Sequence, residues 1–252
     1  MSKVVWKRGV IIFIGWLLLG NANAGALKPI TLYTYHLMPP YLVDVESKKG
    51  LFFDFAELLN SRTSQYQFQV QYLPRKRLER LLEADKLNGV VLGVSPTWFA
   101  DKSETKYLWT AKIISDQDEI VSLKNSPIDY DGPESLTNTR IGGVLGFYYY
   151  GIDELVEKGK IIRIDTTTEF SLLSMILSKR VDSGIISRAT LNYLVPRHQW
   201  QGKFYISKHP HDRFDRRVMV PKRFHAEFTF LQSVLIHIDS DSEWQSILTS
   251  YQ

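Results

Sequence analysis

The sequence predicts an α/β protein made of two doubly wound units, and three observations lead to this fold class. Strand-like and helix-like segments alternate along residues 25–252. The strand-like segments are short and apolar, as in the continuous run GVVLGV at 89–94, which is typical of a strand covered on both faces. The end of the chain is helical and has no strands of its own to cover. This alternation implies mainly parallel sheets with right-handed crossovers.

The first half of the chain has the order β-α-β-α-β. Apolar residues alternate or run continuously in three predicted strands, and they recur at helical spacing in two predicted helices. The strands are ITLYTY at 30–35, the segment 68–72 and GVVLGV at 89–94, and the helices are 52–60 and the stretch 78–82.

The second half repeats this arrangement. Its predicted strands are 119–123, 140–145, 160–164, 183–187, 203–207 and 217–220. Thr166 and Glu169 are spaced as a capping box and open a helix, and two further amphipathic helices are predicted over 224–238 and 244–251. Two units of about 100 residues each follow from this order. We expect the chain to cross to a second lobe near 120 and to return near 218. Lobe 1 is then 25–120 with 219–252, and lobe 2 is 121–218.

Residues 1–24 have the three-part pattern of a secretory signal peptide. A basic start is followed by the apolar run GVIIFIGWLLLG at 9–20 and by a small-x-small site that ends at Ala24. A membrane-spanning helix needs about 20 apolar residues, and this run is shorter. The pattern therefore predicts cleavage after Ala24 and export to the periplasm.

Charge and cysteine content exclude several classes of protein. The leader takes three of the 31 basic residues and none of the 27 acidic ones, which lowers the net charge from +4 to +1. A nearly neutral chain argues against a nucleic-acid partner. Because the sequence has no cysteine, it excludes lipid attachment at a cysteine, thiol catalysis and a cysteine zinc site. These observations predict a soluble periplasmic protein, which we expect to be a monomer.

Short motifs follow one another along the chain in a familiar order. They are Pro39-Pro40-Tyr41, GLFFDFA at 50–56, LNGVV at 87–91, YLWT at 107–110, VLG at 144–146, RVD at 180–182 and WQSILTSY at 244–251. In order and spacing they resemble the motifs of bacterial extracellular solute-binding proteins of family 3, the periplasmic partners of polar amino-acid ABC transporters. The resemblance implies a type II periplasmic-binding-protein fold, in which two lobes are joined by two hinge strands and a ligand binds in the cleft.

The first strand ends in large side chains on a stiff turn. In open α/β sheets, ligands bind beyond the carboxyl ends of the strands. We therefore predict that one wall of the cleft is formed by Tyr35, His36, Met38 and Tyr41. The two prolines fix the backbone there, so that little conformational entropy is lost on folding.

Two positions depart from what the resemblance implies. The resemblance implies an arginine that binds the ligand carboxylate, and this arginine is absent from the stretch 93–102, where Lys102 is the only cation. The candidate ligand contacts in this stretch are Gly93, Ser95, Thr97 and Trp98. The family aspartate that grips an ammonium is Ser187 here. Because a buried ammonium needs a paired charge, a zwitterionic amino acid is an awkward ligand.

A different arginine is expected to take the carboxylate. The segment LPRKRL at 73–78 resembles a motif, PWxRA, in a divergent branch of the family, whose arginine corresponds to Arg77. A guanidinium binds carboxylates in a bidentate manner. We favour Arg77 over Arg75. Arg188, which follows Ser187, would favour an anionic ligand if it pointed inward, and we interpret it as a solvated surface residue.

The second lobe adds aromatic candidates, Phe147 and Tyr148. The predicted pocket is rich in aromatic residues, with one or two arginines and no acid for an amine. Asp116, Asp118 and Glu119 are interpreted as a solvated or salt-bridged patch near the hinge.

These expectations predict capture of a small polar, aromatic or carboxylate-bearing ligand for uptake through an ABC permease, with closure by hinge rotation. A sensing module that docks to a membrane receptor is an alternative, and a dehydratase-type enzyme on the same fold is a weaker one. No HExxH, GxSxG or P-loop motif occurs, so we expect neither catalysis nor a cofactor. His209 and His211 also allow a metal-site interpretation, for which the sequence supplies no further ligands.

Overall fold

The structure is a computed structural model, and it describes Met1 and residues 26–251. The predicted leader and its cleavage site lie outside these residues, so cleavage and export remain predictions. No helix among the described residues has the length and apolar character needed to span a bilayer.

Nine strands and seven α-helices form the described part of the chain. The strands are β1 Lys28–Thr34, β2 Tyr66–Tyr72, β3 Val90–Val94, β4 Leu108–Leu123, β5 Arg140–Val144, β6 Ile162–Thr166, β7 Ser183–Ser187, β8 Phe204–Ile206 and β9 Asp212–Val220. The helices are α1 Leu51–Ser61, α2 Arg75–Glu83, α3 Ile152–Glu157, α4 Glu169–Leu177, α5 Arg188–Arg197, α6 His225–Leu235 and α7 Ser242–Thr249.

The strands form two parallel groups on either side of an antiparallel ribbon. Their order is β2-β1-β3-β9-β4-β7-β5-β6, with β8 paired to β4. β1, β2 and β3 are parallel, as are β5, β6 and β7. The ribbon is β4 paired with β9, from Leu108 opposite Val220 to Asp118 opposite Asp212. This is the two-lobed α/β architecture expected from the sequence, and the ribbon supplies its two hinge strands.

We propose that the lobes divide along this ribbon, with the segments 25–120 and 219–252 in lobe 1 and 121–218 in lobe 2. The C-terminal helices support this division because α7 packs against the first lobe. The indole of Trp244 packs edge-on against Phe55 and donates a hydrogen bond to the carbonyl of Ile113 at 3.2 Å. The hydroxyl of Tyr251 donates to Asp54 at 2.7 Å.

The structure differs from the sequence prediction at a few elements. β4 begins at Leu108 rather than at 119, because its first part carries polar residues where it forms the ribbon instead of a sheet interior. α3 and α5 were not expected. α5 buries only Thr190, Leu191 and Leu194 and carries a proline in its last turn, so its sequence has a weak helical period.

The predicted capping box at Thr166 is also wrong. The helix is capped by Thr168, whose side chain accepts a hydrogen bond from the backbone N–H of Ser171 at 3.1 Å. Glu169 is therefore the first helical residue, and its side chain is free to turn inward, where it is buried.

Candidate functional site

A cavity of about 340 Å³ lies between the two lobes. Its lobe 1 wall comes from the end of β1, the first turn of α2 and the short helix Pro96–Phe99. Its lobe 2 wall comes from the loop 146–150 and the start of α4, and its floor comes from β4 and β9. We call this space the interlobe cavity. Its volume lies at the lower end of the range for small-molecule sites.

Seven of the predicted site residues line the interlobe cavity, from both lobes. They are Tyr35, His36, Met38, Thr97, Trp98, Phe147 and Tyr148. Phe147 packs against all four hydrophobic clusters of the described chain, and its ring lies edge-on to Tyr35 at 6.3 Å between centroids. The motifs at the carboxyl ends of the strands therefore do converge, as the strand-end rule predicts.

Five predicted site residues lie elsewhere. Arg77 is exposed on α2, and Ser95 is buried at the start of the short helix Pro96–Phe99 without facing the cavity. Tyr41, Gly93 and Ser187 belong to a buried hydrogen-bond network beside the cavity.

Arg75, and not the favoured Arg77, faces the interlobe cavity. Leu78 is the buried residue of α2, and the helix period then places Arg75 on the same side, over β1, and turns Arg77 outward. The guanidinium of Arg75 bonds Glu79 at 2.6 Å, the hydroxyl of Tyr35 at 2.7 Å and the carbonyl of Trp98 at 2.5 Å. These contacts fix Arg75 as part of the cavity wall.

A buried ion pair between the hinge strands lies beside the cavity. Asp116 on β4 and Arg216 on β9 have side chains that are 2% and 1% exposed, and the Nη2–Oδ2 distance is 3.0 Å. Burial acts to raise the pKa of Asp116, but the guanidinium of Arg216 and hydrogen bonds from Tyr41 and Ser187 lower it below its ordinary value. Asp116 is therefore ionised at neutral pH and paired.

This pair connects the two lobes. Tyr41 from lobe 1 donates to Asp116 at 2.6 Å, and Ser187 from lobe 2 donates to the same oxygen at 2.7 Å. Arg216 in turn donates to the carbonyl of Gly93 in lobe 1 at 3.2 Å. We call Asp116, Arg216 and these three partners the hinge network. Its side chains hold the lobes in contact next to the cavity.

The hinge network corrects two expectations. Asp116 is salt-bridged, which is one of the two predicted alternatives, but it is buried, and it supplies a carboxylate at Ser187, where the sequence suggested that none was present. Glu119 is also buried, and Arg188 pairs with it at 2.7 Å instead of being an unpaired surface cation. The sequence of β7 could not reveal this acid, because Asp116 lies on a different strand, β4.

Glu169 and Asp118 also face the interlobe cavity, although the sequence suggested no acid for an amine. Glu169 lies at the start of α4, and Asp118 lies on β4. Burial raises the pKa of Glu169 to about 7, and the hydrogen bond from the backbone N–H of Ser187 acts in the opposite direction. Burial also raises the pKa of Asp118 well above its ordinary value.

The raised pKa of Glu169 predicts a pH dependence of folding stability. Between pH 4.5 and about 7 the folded state binds more protons at this group than the unfolded chain does. Stability from this source is therefore present below pH 4.5 and is lost as the pH rises through 7. We expect the urea midpoint to fall across this window and the fall to be smaller in Glu169→Gln. An identical slope in both proteins would contradict the assignment.

The metal-site interpretation finds no support in the donor set. Among residues 26–251, no group of three or more His, Cys, Asp or Glu side chains is arranged to hold a metal ion. His211 instead lines the interlobe cavity, with Nε2 at 2.9 Å from the carbonyl of Tyr150.

A second depression, of about 650 Å³, lies on the flank of the ribbon and includes Arg188, Arg213, Leu248 and Tyr251. We call it the flank groove. Several buried side-chain atoms of the described chain have no hydrogen-bond partner, and none of them belongs to the lining of this groove. The interlobe cavity includes three such residues, His36, Glu169 and His211. It is therefore the better candidate for a polar ligand.

Comparison with known proteins shows similarity in structure only. No family model matches the chain, and no curated protein matches it. A mutant of the arginine-binding protein ArgBP from T. maritima matches with a TM-score of 0.69 at 15% identity, over 89% of this chain and 95% of that one. The GluR0 ligand-binding core from Nostoc punctiforme, in complex with L-glutamate, matches with a TM-score of 0.70 at 12% identity, over 88% and 99%.

A double mutant of the VFT2 domain of BvgS from Bordetella pertussis matches with a TM-score of 0.65 at 15% identity, over 89% of this chain and 93% of that one. All three structures are covered almost completely. The chain therefore has the two-lobed α/β fold of these proteins, which is the fold that its sequence motifs predict.

Proposed function

We propose that this chain is a two-lobed binding protein that captures a small planar or aromatic polar molecule in the interlobe cavity. The observation that carries the proposal is that side chains of both lobes line one cavity, in which Tyr35 and Trp98 face Phe147 and Tyr148. Aromatic rings on two sides suit a planar ligand, and their stacking adds about 0.5–1.5 kcal/mol per pair beyond buried area.

The expectation of a carboxylate in the ligand rested on Arg77, which is exposed. Arg75 lines the cavity, and its guanidinium already bonds Glu79, the hydroxyl of Tyr35 and the carbonyl of Trp98. It also lies 4.2 Å from the ring centroid of Phe99. We therefore treat Arg75 as a residue that shapes the cavity, and its presence does not indicate the charge of the ligand.

The cellular role that we propose is periplasmic, on the basis of the leader pattern in residues 1–24. Delivery of the ligand to an ABC permease and signalling to a membrane receptor both suit a two-lobed binding protein. The hinge network and the 2.5 Å hydrogen bond from Thr190 to the carbonyl of Pro39 favour signalling, because they hold the lobes together through the chain's own groups. A permease gene next to this one would instead favour uptake.

A thermal-shift screen of residues 25–252 against amines, amino acids, organic acids, nucleobases and sugars tests the proposed function. A ligand at 100 times its dissociation constant should stabilise the protein by about 2.7 kcal/mol. We expect Trp98→Ala to weaken binding of any hit by at least about tenfold, since one ring of the stacking pair and its buried area are lost.

Trp200→Ala is the matched control, because Trp200 is another partly buried tryptophan that stacks on Phe170 and His198 and does not line the interlobe cavity. It should leave affinity unchanged. A hit whose affinity is equally insensitive to both substitutions binds elsewhere, and the absence of any hit would argue against a ligand-binding protein.

A further inference from the structure

The interlobe cavity contains more acidic than basic side chains once its ion pairs are set aside. Seven charged residues line it, namely Arg75, Lys76, Glu79, Asp118, Glu169, Asp212 and Arg216. Arg75 is paired with Glu79, and Arg216 is paired with Asp116 of the hinge network. Three acids, Asp118, Glu169 and Asp212, then remain beside one lysine. Asp212 and Lys76 are both exposed, so Glu169 and Asp118 are the acids inside the cavity.

Glu169 is positioned to accept a hydrogen bond inside the cavity. It is 4% exposed, and its Oε1 accepts from the backbone N–H of Ser187 at 3.3 Å. Its Oε2 is buried and has no partner among the described residues. A buried carboxylate oxygen without a donor costs free energy, so a donor from a ligand would be strongly favoured there.

His211 offers a second acceptor. Its Nε2 lies 2.9 Å from the carbonyl of Tyr150, and because a carbonyl can only accept, Nε2 carries the hydrogen. In the neutral ring Nδ1 is then an acceptor, and it too is buried without a partner among the described residues. With the carboxyl group of Asp118, the lobe 2 side and the floor of the cavity present three groups that can accept hydrogen bonds.

We propose that the ligand carries a protonated amine, which Glu169, Asp118 and His211 bind. An ammonium has three donors and no acceptor, which matches three acceptors and the excess of acids. This inference rests on the proposed function and names the charge of its ligand. The ligand class is a small aromatic or planar amine, with its ring between Trp98 and Phe147.

The same site disfavours an α-amino acid. A carboxylate on the carbon that bears the amine would lie next to Glu169 and Asp118, and like charges at this distance repel. The cations of the cavity do not offset this repulsion. Arg216 is paired with Asp116 at 3.0 Å, Arg75 is paired with Glu79, and Lys76 is exposed. We therefore expect the simple amine to bind more tightly than the amino acid with the same side chain.

Matched compounds test this inference. The probes are phenethylamine, tyramine and butylamine, each beside the alcohol, the carboxylate and the α-amino acid of the same carbon skeleton, measured by isothermal titration. In at least one series we expect the amine to bind about tenfold or more tightly than its three counterparts, as for a hydrogen bond to a charged group. Glu169→Gln should remove most of that preference and leave the affinity for the alcohol unchanged.

Glu227→Gln is the control, since Glu227 is a second buried glutamate near a helix start and does not line the cavity. If Glu169→Gln does not fold, as judged by circular dichroism, Asp118→Asn replaces it. The inference would be overturned if a neutral or anionic compound bound most tightly, lost its affinity in Trp98→Ala and kept it in Glu169→Gln. The proposed function would still stand in that case. If no compound binds, either in this experiment or in the broad screen, both the inference and the proposed function are wrong.

Discussion

Replacing Arg216 by methionine should lower the free energy of unfolding by about 3–5 kcal/mol, because it leaves a buried carboxylate without its counter-charge. Asp116 would keep its hydrogen bonds from Tyr41 and Ser187 at 2.6 and 2.7 Å and lose the guanidinium. Methionine has a similar length, so the change in volume is small compared with the loss of the charge. Urea denaturation at pH 7 measures the effect.

Arg213→Met is the matched control for this substitution. Arg213 lies on the same strand, is exposed, and contacts Gln117 at 3.3 Å rather than an acid. An exposed contact of this kind contributes between 0 and about 1 kcal/mol. The double variant Asp116→Asn with Arg216→Met should recover part of the loss, since neither charge remains buried. A loss below about 1 kcal/mol for Arg216→Met alone would mean that the hinge network is solvated in solution.

Gly93→Ala should destabilise the protein by about 2–4 kcal/mol, because alanine there would have an unfavourable backbone conformation and its Cβ atom would clash with a neighbouring side chain. Gly93 has φ of +78° at an irregularity in the pairing of β3 with β9. A Cβ atom at this position would lie 2.2 Å from Cζ of Phe52, whose ring is fully buried. The ring cannot move without opening the lobe 1 core. The change in the urea midpoint measures this cost.

Gly202→Ala separates the two costs of the Gly93 substitution. Gly202 has nearly the same φ, +73°, but a Cβ atom there has no neighbour within 4 Å. It should therefore show the backbone cost alone, about 1–2 kcal/mol. If both variants lose the same stability, the close packing of Gly93 on Phe52 is wrong.

The architecture could be predicted from the sequence because it depends on local patterns. Continuous apolar runs such as 89–94 and 183–187 correspond to β3 and β7, both buried along their whole length. Short strands that alternate with helices restrict the topology to two parallel groups. The same rule placed the aromatic residues after β1 and β5 at the cavity, since the strand ends meet there.

The charged part of the site could not be predicted because it depends on contacts between distant residues. Asp116 and Arg216 are 100 positions apart and pair only through the register of β4 and β9. Glu169 looked like a capping residue, and only a shift of the cap to Thr168 turned it inward. Arg75 and Arg77 are two residues apart on a helix whose rotation is set by Leu78. Sequence spacing alone does not determine that rotation.

A crystal structure of the protein with the tightest compound from the screen tests the central claim most directly. We predict density for the compound in the interlobe cavity, within about 4 Å of Trp98 from lobe 1 and of Phe147 from lobe 2, which is contact distance. Its nitrogen should point toward Glu169. Density in the flank groove beside Arg188 and Tyr251, or on one lobe alone, would contradict the account.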